Sequence, residues 1–184
     1  MANGIAAISF FMWMLIIEKF AYLSGKSENA VQLAHVLIRG DALTAKKGAL
    51  IRFIKLVQRR MGLDAKLERL SEVAQVCAME YDERLKGSLP LIQTLCALAP
   101  LVGLLGTVDG MMLTFSALSD PSQEGGQRLA TGVSQALITT EMGLVVAVPG
   151  LLALSILKKK SEMIQHQVQQ ILFVLQNHSR KGVS

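Results

Sequence analysis

LPLIQTLCALAPLVGLLGTVDGMMLTFSAL, residues 89–118, is apolar throughout apart from one charge, Asp109. A helix crosses the hydrocarbon layer with about 20 predominantly apolar residues, so this stretch is long enough to span a bilayer. Outward from it, a second such stretch runs from Leu129 to Leu157 and is interrupted only by Glu141. A third runs from Ala2 to Ile17, stops at Glu18 and Lys19, and continues as Phe20, Ala21, Tyr22 and Leu23. Aromatic residues beside a basic residue are characteristic of the membrane interface. The expected fold is all-α, an integral membrane protein with three transmembrane helices and helical cytoplasmic extensions. The whole chain fits this, being 51% hydrophobic with only 5% aromatic residues.

The positions of the 19 Lys and Arg residues set the expected topology. Twelve fall in residues 24–88, five follow Leu157, Arg128 stands alone between the second and third spans, and Lys19 ends the first. Basic residues mark the cytoplasmic side. The expected order is a first transmembrane helix over 1–23, a cytoplasmic helical segment over 24–88, and a second transmembrane helix over 89–118. A periplasmic loop over 119–128, a third transmembrane helix over 129–157 and a cytoplasmic helical tail over 158–184 complete it. The N-terminus is then periplasmic and the C-terminus cytoplasmic. The net charge of +5 thus reads as membrane topology rather than nucleic-acid binding. No Lys or Arg precedes the first apolar run and no small-x-small site follows it, so a span is expected there rather than a cleaved leader. Cys77 and Cys96 sit in the cytoplasmic segment and the second span, where packed thiols are expected.

Within 24–88 the periodicity predicts three helices. The first starts at a Ser27 cap, carries Val31, Ala34, Val36 and Ile38, and stops at Gly40. The second carries Leu50, Ile51, Phe53, Ile54 and Val57. The third begins near Asp64 with Leu67, Leu70, Val73, Val76 and Cys77, and only Gly87 and Pro90 separate it from the second span. Lys158, Lys159 and Lys160 mark where the third span leaves the bilayer and can attract anionic lipid headgroups, so membrane lipids are expected partners. Ile164, Val168, Ile171 and Leu175 extend its stripe.

Inside the second span Gly103, Gly106, Thr107, Gly110 and Thr114 recur at three and four places. The third repeats this with Gly132, Ala136, Thr140, Gly143, Ala147 and Gly150. Small residues at that spacing let helix backbones approach closely in lipid. Pro100 and Pro149 each remove a donor from the helix ladder, leaving the Cys96 and Val145 carbonyls unpaired and predicting kinks. Asp109 and Glu141 are candidates for function because charge at membrane depth is expensive.

The run Ala99-Pro-Leu-Val-Gly-Leu-Leu-Gly-Thr-Val-Asp-Gly-Met-Met112 resembles the second span of the MotA/TolQ/ExbB proton channel family. Gln135-Ala-Leu-Ile-Thr-Thr-Glu-Met-Gly-Leu144, with Ala147, Val148 and Pro149, resembles its third. Trp13 to Tyr22 is similar to the first-span boundary of the ExbB branch. The resemblance implies a ring-forming homo-oligomer, a pentamer, in the bacterial cytoplasmic (inner) membrane. It further implies that the ring encloses a single-span partner of the ExbD, TolR or MotB kind, which carries the ion-accepting aspartate. Thr107 and Thr140 become the hydroxyls facing the ion path. Members commonly carry a glutamate where this chain has Gln135, while Glu141 supplies an acid elsewhere; Gln135, Glu141 and Asp109 are therefore possible ion-pathway or partner-contact residues. Three spans and short length favour the TonB-linked ExbB branch, with a TonB-like protein as further partner. A TolQ-type subunit and a non-conducting scaffold are the alternatives. Relatives have a helix before the first span, so this is a short member or a chain whose start lies further upstream.

Enzyme chemistry is not expected. His35, His166 and His178 have no carboxylate or cysteine at ligand or triad spacing. Gly103 to Gly110 lacks the Lys-Ser/Thr ending of a phosphate loop. No cofactor and no metal are called for.

Overall fold

The computed structural model describes residues 2–24, 30–39, 48–61, 67–118 and 125–181. Ser27, Gly40 and Asp64, the expected helix boundaries, lie outside these. The described residues form six helices: α1 (Ala2–Leu23), α2 (Ala30–Arg39), α3 (Ala49–Met61), α4 (Leu67–Lys86), α5 (Leu89–Leu118) and α6 (Gly125–Lys181). Three helical stretches are long and apolar enough to cross a membrane: Gly4–Leu23, one within Leu70–Ser116 and one within Leu129–His178. α5 covers the stretch expected to be the second span, and only Gly87 and Ser88 part it from α4. The third span and the tail are a single helix that begins at Gly125, inside the stretch expected to be loop.

The chain divides into two compact units, Met1–Glu18 with Leu89–Ile156, and Lys19–Ser88 with Leu157–Ser184. In the first, the buried apolar side chains among the described residues are Ile5, Met12, Ile16, Leu89, Ile92, Cys96, Ala99, Ala136, Ala147 and Leu154. The Cys96 thiol meets the Met12 sulfur at 3.4 Å, and a β-carbon placed on Gly150 would come within 2.7 Å of that same sulfur. Large apolar side chains point outward instead, among them Phe10, Leu104, Met112, Leu137 and Val145. That inversion suits helices whose surroundings are themselves apolar.

The second unit is built like a water-soluble bundle. α3 buries Leu50, Ile51, Phe53, Ile54 and Val57, as its periodicity predicts, with Arg52, Lys55, Arg59 and Arg60 on its exposed side. Phe53 packs on Tyr81 at 5.7 Å between ring centres, and the Tyr81 hydroxyl donates to the Ala49 carbonyl at 2.6 Å. Burial pushes the Tyr81 phenol well above its ordinary range, and burial likewise pushes the Cys77 thiol up, with Arg60 pulling the other way. On α4 the buried stripe is Leu70, Ala74, Cys77, Ala78, Tyr81 and Leu85; Val76, expected inside, is exposed. On α2 the stripe is Ala30, Leu33, Ala34 and Leu37, and Val31 is exposed. Ile164, Val168, Ile171 and Leu175 of α6 are buried as predicted.

Lys19 is buried, a position that needs an explanation. Its ammonium donates to the Arg84 carbonyl at 3.0 Å and lies 5.6 Å from the centre of the Tyr22 ring. Arg84 is in the last turn of α4, where carbonyls lack helical partners and the helix dipole is negative, so a cation fits there. Ser161 donates at 3.5 Å to the next carbonyl, that of Leu85. The ion pairs of Glu80 with Arg60 and Arg84, and of Asp82 with Lys86, are exposed and add little.

Candidate functional site

The site is the seam between α5 and α6, where the two helices run antiparallel with almost nothing between them. A β-carbon on Gly103 would lie 3.0 Å from the Thr139 carbonyl oxygen and 3.3 Å from the Thr140 α-carbon. On Gly106 it would meet the Thr139 hydroxyl at 2.5 Å, and on Gly110 the Ala136 β-carbon at 2.7 Å and the Gly132 carbonyl at 2.8 Å. On Gly143 it would lie 2.9 Å from the Ala99 carbonyl, and on Gly132, 2.6 Å from the Thr114 hydroxyl. The glycines singled out in the sequence therefore share one close-packed seam.

Its hydroxyls are those of Thr114 and Thr139, both buried, rather than that of Thr140, which is half-buried beside Thr139. The series Gly132, Ala136, Thr139, Gly143 follows the four-three-four spacing of a helix face, and that signal was available in the sequence. Thr139 donates to its own backbone, to Ala136 at 2.9 Å and Gln135 at 3.1 Å.

Thr107 and Thr140 each follow a seam residue, Gly106 and Thr139, by one place. One residue turns a helix by about 100°, and a two-fold axis relates antiparallel neighbours, so both threonines turn toward the same flank of the pair. Thr107 donates to the Leu104 carbonyl at 2.6 Å and Thr140 to the Ala136 carbonyl at 3.4 Å. A hydroxyl whose proton is returned to its own backbone presents lone pairs outward. It then accepts from water or hydronium, or coordinates a cation, and offers nothing to an anion.

The other candidates are not brought to that flank. Gln135, five residues before Thr140, is turned about 140° from it. It lines a groove of about 540 Å³ with Gln127, Thr131, Ser134 and Met142. Asp109 is exposed and turned about 200° from Thr107. Glu141 is exposed on the side of α6 away from α5. Pro100 and Pro149 both lie inside unbroken helices.

Three apolar spans, two of them joined along a seam of glycines, define an integral membrane protein whose spanning helices associate by small-residue contact. Residues 46–170 match the pattern of the MotA/TolQ/ExbB proton channel family, and the chain belongs to that family. It is 36% identical over 101 residues to the Tol-Pal system protein TolQ of Pseudomonas aeruginosa, covering 55% of this chain and 44% of that protein. It is 38% identical over 104 residues to the biopolymer transport protein ExbB-like 2 of Helicobacter pylori, covering 53% and 69%. With the biopolymer transport protein ExbB of Helicobacter pylori it shares 32% over 107 residues, covering 55% and 74%. The chain thus spans less than half of the TolQ relative and about two thirds of the ExbB-like one.

Proposed function

We propose that this chain is the ring-forming subunit of a channel driven by the proton-motive force, which works with an ExbD-like single-span partner to energise TonB-dependent transport at the outer membrane. The observation that carries this reading is the pair Thr107 and Thr140, turned to one flank of the glycine seam with their lone pairs outward. Five copies would place ten such hydroxyls around a path for a cation. Gln135 and Asp109, on other faces, are assigned to contacts with the partner or a neighbouring copy. Lys and Arg residues concentrated in 24–88 and after Leu157 support a cytoplasmic position for those parts of a bacterial inner-membrane protein, with the N-terminus outside. One charge crossing a potential of about 100 mV releases about 2.3 kcal/mol, which the ring would convert to rotation about its partner. A TolQ-type role in the Tol-Pal envelope system is the second reading, favoured by the TolQ likeness.

The test is proton entry into proteoliposomes that hold this protein and its co-purifying single-span partner, under an imposed potential. Wild type is expected to conduct, and Thr107→Val and Thr140→Val to assemble without conducting. Valine variants that assemble and conduct normally would overturn the threonine assignment. Absence of flux from the wild-type complex would favour a non-conducting scaffold.

A further inference from the structure

We propose that the basic face of α3 is a docking surface for anionic phospholipid headgroups, a lipid contact separate from the lysine run at residues 158–160; it stands on the membrane spans and not on the channel reading above. Arg52, Lys55 and Arg59 are all exposed. At about 100° per residue they fall within an arc of about 60°, on the side of α3 opposite the buried Phe53, Ile54 and Val57. Lys55 and Arg59 are four places apart, a spacing at which like charges on a helix repel. Among the described residues no carboxylate answers either of them, since Glu80 is taken by Arg60 and Arg84, and Asp82 by Lys86.

What lies beside this stripe is set by where α3 begins. The Arg52 guanidinium donates to the Tyr22 carbonyl at 3.0 Å and lies 4.4 Å from the centre of the Tyr22 ring. Tyr22 is the last residue but one of the apolar span Gly4–Leu23. Two places earlier, Phe20 is exposed, with the Lys160 ammonium 4.3 Å from its ring centre. Aromatic rings accompanied by cations at the end of a span stand at the level of the headgroups. The Arg52 guanidinium is therefore at the bilayer surface. Lys55 and Arg59 follow it by about 4.5 Å and about 10.5 Å at helical rise, no further than about one screening length at moderate salt.

Charge selects the headgroup. The boundary turns of α1 and α6 carry Lys19, Lys158, Lys159 and Lys160 against Glu18 and Glu162, so this level is positive before the α3 stripe is added. A zwitterionic headgroup leaves the excess in place, whereas an anionic phosphodiester neutralises it. The guanidinium forks of Arg52 and Arg59 also suit two phosphate oxygens at once. Each basic residue near an anionic surface strengthens such binding by about fivefold. Anionic lipid would thus hold α3 against the membrane at a point the lysine run does not supply.

The test uses the full-length protein in vesicles of phosphatidylcholine with a minority of phosphatidylglycerol. A photoactivatable phosphatidylglycerol and its phosphatidylcholine counterpart are the probes, and peptide mass spectrometry locates the cross-links. The phosphatidylglycerol probe is expected to label residues 49–61 about fivefold more than its counterpart, a preference that fades between about 0.1 M and about 1 M salt. Lys55→Gln with Arg59→Gln should cut that labelling about fivefold. The charge-conserving pair Lys55→Arg with Arg59→Lys should keep it, and so should Lys158→Gln with Lys159→Gln. Equal labelling by the two probes, cross-links confined to residues 157–162, undiminished labelling of the Lys55→Gln, Arg59→Gln protein, or loss of labelling in either of the other pairs would each overturn the proposal. Polyglutamate captured by the detergent-solubilised protein through Lys55 and Arg59, with no preference between the lipid probes, would make the stripe a protein-docking face instead. No proton flux is read, so a complex that conducts yet shows no lipid preference at α3 separates failure of this inference from failure of the channel reading.

Discussion

Thr139 and Thr140 are adjacent, yet their surroundings give them different work. Thr139 is buried against Gly106, with its hydroxyl bonded to its own helix, so its shape matters more than its oxygen. Thr139→Val keeps that shape and should change flux and assembly by no more than about fivefold, because a hydrogen bond of this kind contributes only about 1 kcal/mol. Thr139→Leu adds volume where a β-carbon on Gly106 already has no room, and gel filtration of the solubilised complex should show it failing to assemble. Thr140 is half-buried, and its substitution is expected to act on flux alone. A Thr139→Val variant that abolishes flux with the complex intact would move the conducting hydroxyl into the seam.

At the scale of the element, the glycine seam brings the backbones of α5 and α6 together where no large side chain stands between them. Apolar side chains gain little by leaving lipid, so close backbone approach and the dispersion contacts it permits hold these helices together. Gly110→Ala would put a methyl group within 2.7 Å of the Ala136 β-carbon and 2.8 Å of the Gly132 carbonyl, neither of which is a flexible chain end. The helices must part, and thermal stability in detergent should fall by about 1 to 3 kcal/mol, the usual range for overpacking. Gly126→Ala is the control, since a β-carbon there meets nothing within 4 Å, and alanine in a helix is favoured over glycine by about 1 kcal/mol. Circular dichroism melts of the two variants should therefore move in opposite directions.

On the scale of the whole molecule, the two units obey different solvents, and the Lys19–Ser88 with Leu157–Ser184 unit has an ordinary buried core with Tyr81 in it. Its phenol is pushed upward by burial, so the folded protein favours the neutral form. Below the ordinary tyrosine value of about 10 the group is neutral in both states and its contribution is fully present. Above it the unfolded chain ionises first, and that contribution is lost as pH rises toward the folded value. Tyr81→Phe should accordingly show a smaller loss of melting temperature than wild type between about pH 9 and about pH 11, at the expense of the bond to Ala49 at neutral pH. Equal alkaline losses in the two proteins would mean that Tyr81 is not held neutral by its site.

Much of this was legible in the residues themselves. Charge-free length fixed the spans, since a bilayer demands about 20 apolar residues and a self-satisfied backbone. The glycine spacing fixed which faces of α5 and α6 meet, and the α3 stripe was read correctly because Leu50 to Val57 alternate with basic residues. On α2 and α4, Ala34, Leu70 and Cys77 were read correctly, but Ala30, Ala74, Ala78 and Tyr81 carry a weak hydrophobic signal and were missed, while Val31 and Val76 carry a strong one and are exposed. Sequence determined that hydroxyls and a carboxyl stand in the third span, and the step of about 100° per residue orders Thr139, Thr140 and Glu141 around its axis. Only the tertiary structure showed that α5 is the helix that meets the Gly132, Ala136, Thr139 and Gly143 face, because the choice of partner helix depends on packing and not on one helix's own pattern.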